Sequence, residues 1–167
     1  MDRWIALFSQ TGSEIVDIAN QLGVWPDRVF TNNKNIEEIN DKLKNKVVVM
    51  SHNGIEETLQ YTSDMPGNTI VTLHGYLRIL SPKTCDTSLS IYNGHPAYIS
   101  KHPELKGKDP QKKALQLNLS ETGVIIHRVD KDVDSGPIIL SKSYMMKGDE
   151  TEEILINRLR EYSIDMW

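Results

Sequence analysis

Short apolar runs alternate with longer amphipathic stretches along the first half of this chain, and that alternation limits its fold more than any other feature. Ile5–Phe8, Arg28–Thr31, Val47–Ser51, Thr69–Leu73 and Leu89–Tyr92 read as buried strands. Between them, Glu14–Leu22, Ile36–Leu43 and Ile55–Tyr61 read as helices. In the first of these, Ile15, Ile18, Ala19 and Leu22 fall at helical spacing before Gly23. A β-α-β-α order predicts an α/β fold with a mainly parallel twisted sheet flanked by helices. Ligands of such sheets bind beyond the C-terminal strand ends, so the residues after Phe8, Leu73 and Tyr92 carry the most interest.

The second half follows a different pattern. Gly94–Pro110 is polar and irregular, with three Pro and two His. Gln111–Leu117 reads as a helix. Thr122–Val129 and Pro137–Met145 read as strands joined by the acidic turn Asp130–Gly136, an antiparallel excursion near the C-terminus. Glu150–Tyr162 is amphipathic, with Ile154, Leu155 and Leu159 expected to face inward. No linker interrupts the pattern, so a single domain over residues 1–167 is expected, and 167 residues are enough to bury a real core.

Charge and cysteine content narrow the partners. The net charge is −4, with no basic excess of the kind that binds nucleic acid. No apolar run approaches the length needed to span a bilayer. Cys85 is the only cysteine, which excludes an intrachain disulfide and a Cys-rich zinc site, and suits the cytoplasm. No paired-His metal spacing occurs, and no metal is expected.

Three short stretches carry possible chemistry. Ser9-Gln10-Thr11-Gly12-Ser13 lies between a strand and a helix. It is either an anion site built from backbone N–H groups or a plain turn with Ser13 as the helix cap. Neither a dinucleotide fingerprint nor a P-loop is present. Asn93-Gly94-His95-Pro96 follows a buried strand. It is either a turn or a pair of donors for a developing oxyanion, with His95 also able to relay a proton. Asp130-Lys131-Asp132-Val133-Asp134 lacks the spacing of a calcium loop. It is either a solvated turn or the source of a carboxylate that pairs with a histidine, raising its pKa. His127, inside a strand, reads as structural, whereas His52 and His74 follow strands on the ligand side and His102 lies in the polar loop.

Four fragments in order carry a resemblance: Leu73–Pro82 (LHGYLRILSP), Asn93–Pro96, Thr122–Val129 (TGVIIHRV) and Asp134–Ile139 (DSGPII). They resemble the 10-formyltetrahydrofolate-dependent formyltransferases, and most closely the purine-pathway branch. The resemblance spans roughly residues 5–160 and is most specific between 73 and 140. It implies a Rossmann-like formyltransferase fold and formyl transfer from 10-formyltetrahydrofolate, the co-substrate, to a small-molecule amine such as glycinamide ribonucleotide. It implies Asn93, His95 and Asp134 as the catalytic set. It implies folate contacts from Leu77, Arg78, Ile79 and Leu80 and from Val129, Asp130, Lys131 and Asp132. Gln10, Thr11, Gly12 and Ser13 would hold the acceptor phosphate, and Glu161 or Tyr162 would contact the acceptor. Ala97-Tyr98-Ile99-Ser100 departs from the family's usual Ser-Leu-Leu-Pro, and Glu14 adds a negative charge beside the phosphate turn. A sugar-nucleotide amine formyltransferase, a formyltetrahydrofolate hydrolase and a non-catalytic folate- or nucleotide-binding module are the alternatives. The protein is expected to act as a monomer or homodimer.

Overall fold

A computed structural model describes residues 2–132 and 134–167, so Val133 of the acidic turn lies outside the described residues. The chain divides into two compact units, Met1–Asn93 with Val129–Lys131, and Gly94–Arg128 with Asp132–Trp167.

The first unit is built on β1 (Arg3–Phe8), β2 (Arg28–Thr31), β3 (Val47–Val49), β4 (Thr69–Leu73) and the start of β5 (Ser90–His95). The pairings β3–β2, β2–β1, β1–β4 and β4–β5 are all parallel. Helices α1 (Ser13–Leu22), α2 (His52–Ser63) and the short α3 (Pro82–Cys85) join them. Ile5, Leu7, Phe30, Val71, Leu73 and Ile91 are buried with Ile55 and Leu59 of α2 in one core. Ala6, Phe8 and Val29 are buried with Ile15 and Val16 of α1 in another. Chain order reverses at β1, flanked by β2 and β4, which is the switch point where open α/β sheets bind ligands.

The second unit holds α4 (Pro110–Gln116), β6 (Glu121–Arg128), β7 (Ile138–Met145) and α5 (Glu152–Met166). β6 and β7 are antiparallel, with an irregularity between Ile126 and His127. Gly123 allows their close approach: a Cβ there would lie 2.3 Å from the Lys142 carbonyl oxygen. Val124, Ile125, Leu155 and Leu159 form the core with Ala114.

Several local expectations need correction. Ile36–Leu43 is not a helix; only one 3-10 turn forms, Ile36–Glu38. The Asn40 side chain accepts from the Lys42 N–H, and its own N–H donates to the Thr11 carbonyl, which diverts the backbone from a helical ladder. Ser13 does not cap α1. The cap is Gly12 at φ 72°, and the Ser13 N–H donates to Thr11 Oγ1 at 3.2 Å. Ile154 is 37% exposed rather than inward. Helix α5 begins two residues later than expected because Thr151 caps it, while Glu150 accepts from the N–H groups of Lys147 and Gly148. Helix α3, unread in the sequence, starts at Pro82 with Ser81 as its cap.

Candidate active site

In the first unit, the turn after β1 meets the turn after β4. The His74 N–H donates to the Leu7 carbonyl, the Ser9 N–H to the Gly75 carbonyl, and the Leu77 N–H to Ser9 Oγ at 2.8 Å. Gly12 cannot be replaced here without strain. Its φ is positive, and a Cβ would lie 2.5 Å from Leu43 Cδ1. Much of the Gln10–Ser13 turn is engaged locally. Asn33 Nδ2 donates to the Gln10 carbonyl, the Asn40 N–H to the Thr11 carbonyl, and Asn40 Nδ2 to Ser13 Oγ.

Glu14 follows, and its carboxylate does not stand alone. Its Oε1 lies 3.1 Å from Nδ1 of His74, whose side chain is 1% exposed. The other ring nitrogen lies 2.8 Å from Thr72 Oγ1, which also accepts from Trp4 Nε1 at 2.8 Å. One tautomer satisfies the set: Nδ1–H donates to Glu14, and the Thr72 hydroxyl donates to Nε2.

Leu77–Leu80, also in the first unit, is irregular backbone. Leu77 and Ile79 are 63% and 66% exposed, whereas Leu80 is buried. Arg78 is exposed as well. The Cys85 thiol lies between the Leu80 carbonyl (3.8 Å) and the Asp130 carbonyl (3.5 Å), and the Val129 N–H donates to the Ile91 carbonyl. Of the two segments expected to hold folate, Leu77–Leu80 and Val129–Asp132, the first is thus joined through one side chain to the Val129–Lys131 part of the second. Burial pushes the Cys85 thiol up, with the Asp130, Asp86 and Glu56 charges adding to it. Asn93 ends this unit's part of β5, paired with Leu73.

The second unit contains a buried cluster of His95, Asp134 and His127, at 7%, 8% and 2% exposure. Asp134 Oδ2 lies 3.5 Å from His95 Nδ1 and accepts from the Gly107 N–H at 3.0 Å. Asp134 Oδ1 lies 3.4 Å from His127 Nε2. Each ring also faces a carbonyl on its far side: His95 Nε2 faces Leu105 at 3.1 Å, and His127 Nδ1 faces Arg128 at 3.0 Å. Asp134 sits at φ 53°, a strained conformation for a residue with a side chain, of the kind that clusters at functional sites. The register shift beside His127 leaves one extra residue, Ile139, on the β7 side of the pair.

Burial lowers the His95 pKa, and that outweighs the raising effect of Asp134 and of the Leu105 carbonyl. The expectation that Asp134 would raise it is therefore half met: the carboxylate acts in that direction, but burial prevails. For Asp134, burial works against the charge. The His127 hydrogen bond, the His95 charge and the Gly107 N–H prevail, and its carboxyl lies below the usual range.

The structure thus brings His95 and Asp134 together and adds His127, which the sequence reads as structural. The signal was its place in β6 three residues before Asp130, but its pairing with Asp134 is a tertiary feature. Asp132 and Lys131 are exposed. Tyr162 stacks edge-on against Tyr144 with ring centroids 5.6 Å apart, a packing role, while Glu161 is exposed on α5.

A parallel α/β sheet with turns gathered at its switch point defines a Rossmann-like, small-molecule-binding class of protein. The formyl transferase family profile matches residues 3–166, and the chain belongs to that family. It is 34% identical over 124 residues to the trifunctional purine biosynthetic protein adenosine-3 of Bos taurus, a match covering 73% of this chain and 11% of the bovine protein. It is 27% identical over 163 residues to methionyl-tRNA formyltransferase of Thermotoga sp. (strain RQ2), covering 94% of this chain. The chain spans 50% of the Thermotoga protein's length. The crystal structure of phosphoribosylglycinamide formyltransferase from Streptococcus pneumoniae TIGR4 superposes with a TM-score of 0.79 at 23% identity, covering 99% of this chain and 94% of that one. This last likeness is one of fold.

Proposed function

We propose that this chain, acting as a single formyltransferase domain over residues 1–167, transfers the formyl group of 10-formyltetrahydrofolate to a small-molecule amine. Glycinamide ribonucleotide is the acceptor proposed. The observation that carries the reading is the buried Asp134 set between His95 and His127 in a chain of the formyl transferase family.

The amine attacks the formyl carbon in its neutral form, and a C–N bond forms as the carbonyl becomes an oxyanion. Asn93 and His95 lie two residues apart in the Asn93–Pro96 motif. The Asn93 amide donates to the oxyanion. His95, neutral at rest because burial lowers its pKa, takes the proton that the amine loses on Nε2, which leaves the Leu105 carbonyl to do so. The imidazolium is then stabilised by Asp134 and donates to the oxyanion in turn. Collapse breaks the bond from the formyl carbon to folate N10, and the proton passes from His95 to N10. The products are the formylated amine and tetrahydrofolate. Folate would lie against Leu77, Ile79 and Leu80 and the Val129–Asp132 backbone, and the acceptor against Gln10–Ser13.

The test is turnover of 10-formyltetrahydrofolate by the purified chain with glycinamide ribonucleotide, followed by the appearance of tetrahydrofolate and of formylated product. Amine-dependent release of tetrahydrofolate is expected. Release of formate at the same rate without amine would replace transfer by hydrolysis, and no turnover with any amine would overturn the reading.

A further inference from the structure

Leu77–Leu80 poses a physical problem that its own sequence does not solve. The segment lies outside any helix or strand, yet it presents two large apolar side chains to solvent. An irregular backbone holds a ligand-ready shape only when neighbouring groups lock it.

A chain of polar side chains in the first unit supplies such a lock. Tyr76, immediately before the segment, is 9% exposed, and its hydroxyl lies 2.7 Å from His52 Nδ1. His52 Nε2 lies 3.4 Å from Glu56 Oε2, one turn further along α2. Glu56 Oε1 accepts the Ser81 N–H, immediately after the segment, at 2.5 Å, and the Thr84 hydroxyl at 2.9 Å. Neutral His52 satisfies the chain without a spare donor or acceptor: the Tyr76 hydroxyl donates to Nδ1, and Nε2–H donates to Glu56. Although burial opposes its charge, the Ser81 N–H and the Ser81 and Thr84 hydroxyls hold Glu56 below the usual carboxylate range.

We infer that His52 is a positioning residue for the folate-binding segment, tying Tyr76 at its start to Glu56, and so to Ser81, at its end. The inference rests on the formylfolate reading above. His52 sets the span between the segment's two ends and so the spacing at which Leu77 and Ile79 meet a flat pterin. Ser9, which fixes only the Leu77 N–H, cannot replace it.

The experiment measures binding of 10-formyl-5,8-dideazafolate by calorimetry, together with steady-state kinetics, for the wild type, His52→Ala and Tyr76→Phe. Tyr76→Phe keeps the buried ring and removes only the hydroxyl, so it reports even if His52→Ala folds poorly. Loss of one such hydrogen-bonded tie should weaken the analogue about three- to tenfold. KM for formylfolate should rise by the same factor, while kcat and the acceptor KM stay within about twofold. The double variant should be no weaker than the worse single one, because the residues act as one relay. Unchanged analogue affinity in Tyr76→Phe, with a wild type that binds, overturns the inference alone. So does a loss that falls on kcat or on both substrates. A wild type that does not bind the analogue overturns the folate reading, and the inference with it.

Discussion

Two buried histidine–carboxylate groups, one in each unit, look alike in distance and differ in proton count. At Glu14–His74, one ring nitrogen faces an acceptor and the other faces the Thr72 hydroxyl, so a neutral ring fits. At His95–Asp134–His127, the four ring nitrogens all face acceptors: two carboxylate oxygens and the carbonyls of Leu105 and Arg128. Two neutral rings bring only two N–H groups to these four acceptors. The first arrangement is complete and suits a structural role. The second is short of protons, and burial, helped by the His127 and Lys113 charges, disfavours a further proton on His95. A site that must accept a proton during a reaction and release it afterwards needs that balance.

The largest expected effects lie at His95, in the proton-deficient cluster, and at Asn93, the other proposed oxyanion donor. His95→Ala and Asn93→Ala should each lower kcat by at least about 10²-fold, the usual cost of one oxyanion donor, with folate affinity little changed. Measured tetrahydrofolate release within about threefold of wild type in either variant would remove that residue from the chemistry. Removing the complete pair should look different. His74→Ala should leave kcat within about threefold while costing stability, about 1–3 kcal/mol in urea unfolding for the polar partners left behind. If His74→Ala proved as slow as His95→Ala, the distinction drawn from proton count would fail.

Glu14 offers a smaller test of the same contrast. Its carboxylate is tied to His74, so it is held beside the Gln10–Ser13 turn, where an acceptor phosphate would bind. Glu14→Gln should tighten binding of glycinamide ribonucleotide by about two- to fivefold, as expected for removal of one like charge near a half-exposed site. Calorimetry against the dephosphorylated analogue checks it. An equal change for both compounds would place the phosphate elsewhere.

What the sequence made legible follows from the range of the forces involved. The parallel strands, the helices α1 and α2 and the β6–β7 pair follow from local periodicity, and Thr69–Leu73 and Arg28–Thr31 have the bounds that were read. Asn93, His95 and Asp134 came from a motif order rather than from local physics. His127 did not, because its role rests on a contact with Asp134 beyond the following turn, and period-2 alternation does not report such contacts. The failed helix at Ile36–Leu43 is the same lesson at smaller scale: Asn40 reaches back to Thr11, 29 positions earlier, and local propensity yields to it. The Tyr76–His52–Glu56 relay was equally hidden, since it joins residues from α2 to the turn after β4.

The smallest expected effect is on stability against pH. In the unfolded chain His95 titrates near its ordinary value of 6.5, and in the folded protein burial puts it lower. As pH falls below 6.5 the unfolded state therefore binds more protons than the folded one, and stability falls until the folded pKa is passed. Asp134 and Glu56 also lie below their ordinary values, 3.8 and 4.5, and Glu150 is held down to about 2. For these groups stability is present above the ordinary value and lost as pH falls through the lowered one. Their window starts near 4.5, so the interval from 6.5 to 4.5 isolates His95 from them. His95→Gln should flatten the fall in Tm across that interval. Asp134→Asn should steepen it, because the charge that raises the His95 pKa is gone and the folded ring resists protonation further. Melting curves taken every half unit of pH separate the two. Slopes that move in the same direction for both variants would show that Asp134 does not act on His95 through its charge.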